Sequence, residues 1–167
     1  MIANRKSQFG LTLIELIIYI ALVSMILVSI SFLILDIMAG QTGSVADQDV
    51  NQNMRFISNY LSKDIKAAED IVSLTVKSLV LAVPGDDIAY SFDDAAKIIT
   101  RQVGSAAPDI LNSNRIEVIG SFTDLSYLNR SHNVGVNLTI IYKNPGNRPE
   151  FNASTTANFS VELMGRR

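Results

Sequence analysis

The chain opens MIANRKSQFG at residues 1–10 and continues LTLIELIIYI at residues 11–20, and these twenty residues decide the fold. Arg5 and Lys6 are the only charges of a short leader that ends in Gly10. The run that follows, Leu11 to Leu35, is interrupted only by Thr12, Glu15, Tyr19, Ser24, Ser29 and Ser31, and Asp36 closes it. At about 1.5 Å of rise per residue, a helix over this run spans roughly 37 Å, more than a hydrocarbon core of about 30 Å. A transmembrane helix is therefore predicted over residues 11–40. The run is too long for the apolar region of a secretory signal peptide, about 7–15 residues. Asp36-Ile37-Met38-Ala39-Gly40 is also a poor small-x-small cleavage site. The leader cations place the N-terminus in the cytoplasm by the positive-inside rule, so the chain after Asp36 is expected outside.

Glu15 is the anomaly in this run. A charge inside a transmembrane segment costs roughly 2.5–3.5 kcal/mol on insertion scales and is a functional hypothesis by default. The arrangement Gly10, Leu11-Thr12-Leu13-Ile14-Glu15 resembles the class III signal of type IV prepilins and pseudopilins. In that family a basic leader ends in Gly, and a hydrophobic residue, Thr, Leu, Ile and a fifth-position Glu follow. The resemblance implies cleavage between Gly10 and Leu11 by a prepilin peptidase, methylation of the new amino group on Leu11, and a role for Glu15 in subunit assembly. Most members begin the mature chain with Phe, where this chain has Leu11.

Cutting ahead of the apolar run keeps the whole segment on the product, as membrane anchor first and packing surface later. The cut also creates an α-amino cation four residues from Glu15, and pairing within or between subunits offsets part of the desolvation cost of both charges. An ordinary signal anchor, with Glu15 near the cytoplasmic headgroups, requires Gly10 and Glu15 to share this spacing by accident.

At 167 residues the chain accommodates one compact domain beside its anchor. Its 14 basic and 16 acidic side chains give a formal charge of −2, and loss of two leader cations leaves −4. That acidity argues against nucleic acid as a partner, since phosphate binding needs a basic patch. There is no cysteine. Many major type IV pilins carry a C-terminal disulfide loop, so its absence tilts the resemblance towards pseudopilins and minor subunits.

Gly40-Gln41-Thr42-Gly43-Ser44 reads as a kink or interruption, with Ser44 or Asp47 as N-cap of a resumed helix. Val50, Met54, Ile57, Leu61, Ile65 and Ala68 recur in steps of four and three, the mark of one apolar helix face, with Ser62, Lys63, Asp64, Lys66 and Glu69 mostly off it. Beyond residue 70 the period changes to two. Strands are predicted at 71–76, 79–83, 88–92, 97–102, 116–119, 122–128, 134–142 and 158–163, with turn-rich connections at 84–87, 105–113, 129–133 and 144–149. The expected fold class is α+β. A long N-terminal helix has a transmembrane first half, and its second half, residues 41–70, packs on an antiparallel, pilin-like sheet domain at 71–167.

More loosely, the order resembles the J-type minor pseudopilins of type II secretion and the W-type minor pilins. Met54-Arg55-Phe56-Ile57 and Lys63-Asp64-Ile65-Lys66-Ala67-Ala68 echo their helix. Ser78-Leu79-Val80-Leu81, Ile88-Ala89-Tyr90-Ser91-Phe92 and Ile98-Ile99-Thr100-Arg101 echo their first strands.

Catalytic signatures are absent from the sequence. His132 is the only histidine and reads as a surface loop residue, and no G-x-S-x-G, P-loop, H-E-x-x-H or Cys/His metal spacing occurs. Asp86-Asp87 and Asp93-Asp94 are oxygen-rich enough for calcium only if a hairpin joins them, and otherwise read as solvated turn carboxylates. No metal or cofactor is expected. The glycosylation sequons at Asn129, Asn137 and Asn152 are short and common by chance. The expectation is a non-enzymatic, membrane-stored minor subunit of a type IV pilus or pseudopilus in the inner membrane, with its C-terminal domain extracytoplasmic. Its partners would be other pilins, the prepilin peptidase, an inner-membrane assembly platform and lipid. The alternative is a bitopic protein presenting a β-rich binding module on a permanent anchor.

Overall fold

The computed structural model describes residues 12–127 and 132–164. Its contacts divide the chain into two units, Met1–Gln41 and Thr42–Arg167. Helix α1, Leu13–Ala67, is assigned without a break. The interruption expected at 40–44 is therefore not there. Gly40 costs a helix only about 1 kcal/mol, and a Cβ at its position would meet nothing within 4 Å, so no close approach demands the glycine.

In the first unit, every described side chain from Thr12 to Gln41 is exposed. The serine hydroxyls in this stretch turn back on their own helix. Ser29 donates to Met25 O at 2.9 Å, Ser31 to Leu27 O at 2.8 Å, and Ser24 to Ile20 O. Bonding the i−4 carbonyl removes the hydroxyl donor from competition with lipid or a packing partner. The apolar run thus stays apolar all round.

In the second unit, the predicted helical stripe is the core. Ala46, Val50, Ile57, Leu61, Ile65 and Ala68 are buried and Met54 partly so. Full burial of each large aliphatic side chain contributes about 1.5–3 kcal/mol. Six antiparallel pairings within two sheets follow the helix. Strands β1 (Asp70–Leu74), β2 (Ser78–Ala82), β3 (Ile88–Asp93), β4 (Ile98–Val103) and β5 (Asp109–Ile110) form a five-stranded meander in sequence order. Strands β6 (Ile116–Asp124), β7 (Asn133–Tyr142) and β8 (Ser154–Glu162) form a second sheet. Leu79, Leu81, Tyr90 and Ile99 of the first sheet and Ile116, Val118, Leu138 and Ile140 of the second enter the same core.

Three strands differ from the sequence reading by more than a shift of one or two residues at an end. Residues 116–119 and 122–128 are one strand, β6, through Asp124 rather than two. Gly120 does not break it, because the Phe92 ring lies against the strand there and a Cβ would collide with that ring. The Phe92 and Phe122 rings stand 4.9 Å apart beside it. Strand β8 begins at Ser154 rather than 158, since Thr155 and Ala157 continue the inward alternation that Phe159 and Val161 make visible. The short β5 arises inside the predicted 105–113 connection because Thr100 and Arg101 pair with Ile110 and Asp109.

A fragment lacking residues 1–40 is expected to remain soluble and to melt cooperatively, with mixed helix and strand in its circular dichroism. It retains the buried stripe and both sheets. A polydisperse aggregate in light scattering would contradict this.

Candidate functional site: the N-terminal segment and its buried anchor

Arg5, Lys6, Gly10 and Leu11 lie outside the described residues. Glu15 sits in the first turn of α1. The Glu15 N–H donates to Thr12 Oγ1 at 3.4 Å, and the Leu16 N–H to Thr12 O at 3.1 Å. Thr12 is thus the N-cap and Glu15 the third helical residue, the spacing of a capping box. A negative charge here also complements the positive end of the helix dipole. Sequence analysis missed this role for Thr12, although the T-x-x-E pattern carries it. The Glu15 carboxylate makes no hydrogen bond or ion pair with any described residue.

At the far end of α1 the structure brings together three residues that sequence analysis left apart. Asp64, placed off the apolar face by its charge, is buried, with 6% of its surface exposed. Its spacing from Leu61 and Ala68, three and four residues, puts it on the stripe, and composition hid what spacing would have found. One carboxylate oxygen, Oδ2, accepts the Tyr90 hydroxyl at 2.6 Å and Arg101 Nε at 2.7 Å. The Arg101 guanidinium also stands over the Tyr60 ring, 5.8 Å from its centroid.

The electrostatics follow from this burial. Burial itself, then the hydrogen bond and charge of Asp64, push the Tyr90 phenol far above its ordinary range, with Arg101 opposing. For Arg101, burial works against the charge, but the contacts with Asp64 and Tyr90 outweigh it and hold its pKa above the usual value. The trio therefore keeps one anion, one cation and one neutral phenol, all hydrogen-bonded, and fixes the end of α1 to β3 and β4. A second link is Ser113 N–H donating to Asn53 Oδ1 at 3.1 Å.

Asp86-Asp87 and Asp93-Asp94 lie at opposite ends of β3 rather than across a hairpin, roughly 20 Å apart at strand rise. Asp94 pairs with Lys77 at 2.7 Å, and Asp93 Oδ1 accepts the Ala95 and Ala96 N–H groups. Among the described residues no group of three or more His, Cys, Asp or Glu side chains is placed to hold a metal. His132 is not the surface residue expected. Its side chain is 17% exposed, Nδ1 lies 3.6 Å from Asp70 Oδ1, and Nε2 is buried without a partner among the described residues. Asn137 lies within β7 and Asn152 beside β8, both exposed, while Asn129 is outside the described residues. An open cleft of roughly 540 Å³ between β7 and the loop after it is lined by Lys97, Glu117, Tyr142 and Phe151. Of its three charged lining residues, Lys97 and Glu117 pair with each other at 2.6 Å, and Lys143 is the third.

One long helix ahead of antiparallel sheets is an α+β architecture consistent with the pilin-like fold. Residues 5–31 match the family model of the prokaryotic N-terminal methylation motif. The motif indicates a type IV pilin-like or pseudopilin-like precursor with a hydrophobic N-terminal helix. No curated protein and no solved structure matches the chain.

Proposed function

We propose that this chain is a structural, non-catalytic minor subunit of a type IV pilus or type II secretion-like pseudopilus. On this reading it is stored in the inner membrane with its C-terminal domain outside. It is cut after Gly10, methylated on Leu11 and assembled through its N-terminal helix. The observation that carries the proposal is the coincidence of the methylation motif at residues 5–31 with an apolar helix exposed on every side. A helix that is hydrophobic all round requires burial in lipid or in a bundle, and filament assembly supplies the second after the first. Other pilins, the prepilin peptidase, the assembly platform and lipid are the partners this implies. The minor-subunit assignment draws on the absence of cysteine. It draws also on the echo of minor-subunit motifs around Asp64, Tyr90 and Arg101.

The mature protein is expected to begin at Leu11, by N-terminal sequencing or intact mass from cells with an active prepilin peptidase. Gly10→Val is expected to block processing, because the peptidase approaches the backbone at a residue with no side chain. Recovery of the uncut wild-type chain from such cells would refute the proposal and favour a permanently anchored binding module.

A further inference from the structure

The second sheet leaves one long edge open. The ends of the β7–β8 ladder define which groups face outward. Tyr142 N–H donates to Ala153 O and Leu163 N–H to His132 O, both at 2.9 Å, in the same register as the strand pairs. Odd-numbered residues of β8 therefore bond to β7. The backbone N–H and C=O groups of Ser154, Thr156, Asn158, Ser160 and Glu162 point away from the sheet, and no described residue pairs with them.

The other sheet edges are covered or short. Along β6, Phe122 N–H donates to Val76 O and Val118 N–H to Lys97 O, both at 2.9 Å. On the same edge Gly120 O accepts Lys77 Nζ and Ile116 O accepts Asn112 Nδ2, again at 2.9 Å. Strand β1 is short, with an irregularity between Ile71 and Ser73, and β5 has two residues. Bulges, brevity and covering groups are the usual protections of an edge, as are lysine and proline. Strand β8 has nine residues, none of them Lys or Pro, in unbroken register, and its one charge is Glu162 at the end.

We propose that β8 pairs antiparallel with β8 of a second copy of this chain, about a two-fold axis at Asn158. Because Asn158 bonds outward, this centre sets Asn158 opposite itself, Thr156 opposite Ser160 and Ser154 opposite Glu162. Roughly ten ladder hydrogen bonds result. The two Glu162 carboxylates face serines rather than each other, and the Thr–Ser pairs are favourable cross-strand neighbours. On the core side Ala157 meets Phe159 and Thr155 meets Val161, small against large. Those positions need covering, since Thr155, Ala157 and Phe159 are only half-buried while Val136, Leu138 and Ile140 on neighbouring β7 are buried. A second copy brings the complementary size pattern in one register, with no like charges opposed.

The chain has no cysteine, so single introduced thiols report on the pairing of the full-length protein in its membrane. Asn158→Cys is expected to form a disulfide-linked homodimer on mild oxidation, the facing Cα atoms lying about 5.5 Å apart. Ser154→Cys is expected to stay monomeric, its two copies about 26 Å apart. Ser154→Cys mixed with Glu162→Cys is expected to give the mixed dimer. Adding Ser160→Pro to Asn158→Cys should abolish the crosslink, because it removes an outward N–H that β7 does not use. Where proline impairs folding, Thr156→Lys with Ser160→Lys sets like charges opposite and should lower crosslinking about tenfold. The proposal is overturned by a monomeric Asn158→Cys whose thiol still reacts with maleimide, or by equal crosslinking at 154 and 158. It is overturned equally by crosslinks to other proteins alone, or by a crosslink that survives the lysine pair.

Discussion

Asp64→Ala is expected to cost the folded unit about 3 kcal/mol, because it strands two donors at once. Removing one member of a buried charge pair typically costs about 3–5 kcal/mol. The lower end applies here, since the Arg101 side chain is 21% exposed and recovers part of its hydration. For a unit of this size the loss is roughly 10 °C in Tm. Thermal melts of the fragment lacking residues 1–40 measure it. A shift of under about 2 °C would show that the trio is not the anchor of α1.

The same trio makes an alkaline prediction. The folded-state pKa of Tyr90 lies above its ordinary value of 10.0, so the native protein holds this proton after the unfolded chain has lost it. Stability from this group is therefore complete below about pH 10 and is lost as the pH rises beyond it, by up to about 1.4 kcal/mol per pH unit. Tyr90→Phe, less stable at neutral pH, is expected to lose stability less steeply between about pH 10 and 12. Parallel alkaline limbs for the two proteins would contradict this.

Glu15→Val is expected to yield a processed protein that is retained at least as well in membrane but enters filaments about tenfold less, the consequence of losing ~1.4 kcal/mol of pairing. Among the described residues the carboxylate makes no hydrogen bond and meets no counter-charge, and only its position at the start of the helix is favourable. Loss of the dipole contribution alone is worth about 0.3–1 kcal/mol, and the Thr12 cap on the backbone N–H of residue 15 is kept. The reading under test is that the α-amino group at Leu11, on its own or a neighbouring subunit, meets Glu15. Cleavage at Gly10 is verified first, and then membrane retention is compared with crosslinking to partner pilins or pilus yield. Equal assembly by mutant and wild type would refute the pairing role and move weight to the bitopic module.

Local chemistry carried much of the fold. The apolar run from Leu11, the 50–68 stripe and the clean alternation of 134–140 each stand on spacing alone, because burial on one face imposes its period on the sequence. The helix through Gly40 and the single strand through Gly120 were not legible, since a glycine marks a break or a close contact with the same letter. Only the Phe92 ring, brought in from another strand, distinguishes the two at Gly120.

The sequence by itself determined the N-terminal motif with its leader, its apolar run and its one carboxylate, because those residues are contiguous and their spacing is the signal. Only the tertiary structure decided that Asp64, Tyr90 and Arg101 share one buried oxygen, since their partnership spans 37 residues and no local period records it. It also decided that β8 is the long open edge. Hydrogen-bond parity depends on which strand lies on each side, and that is a property of the assembled sheet.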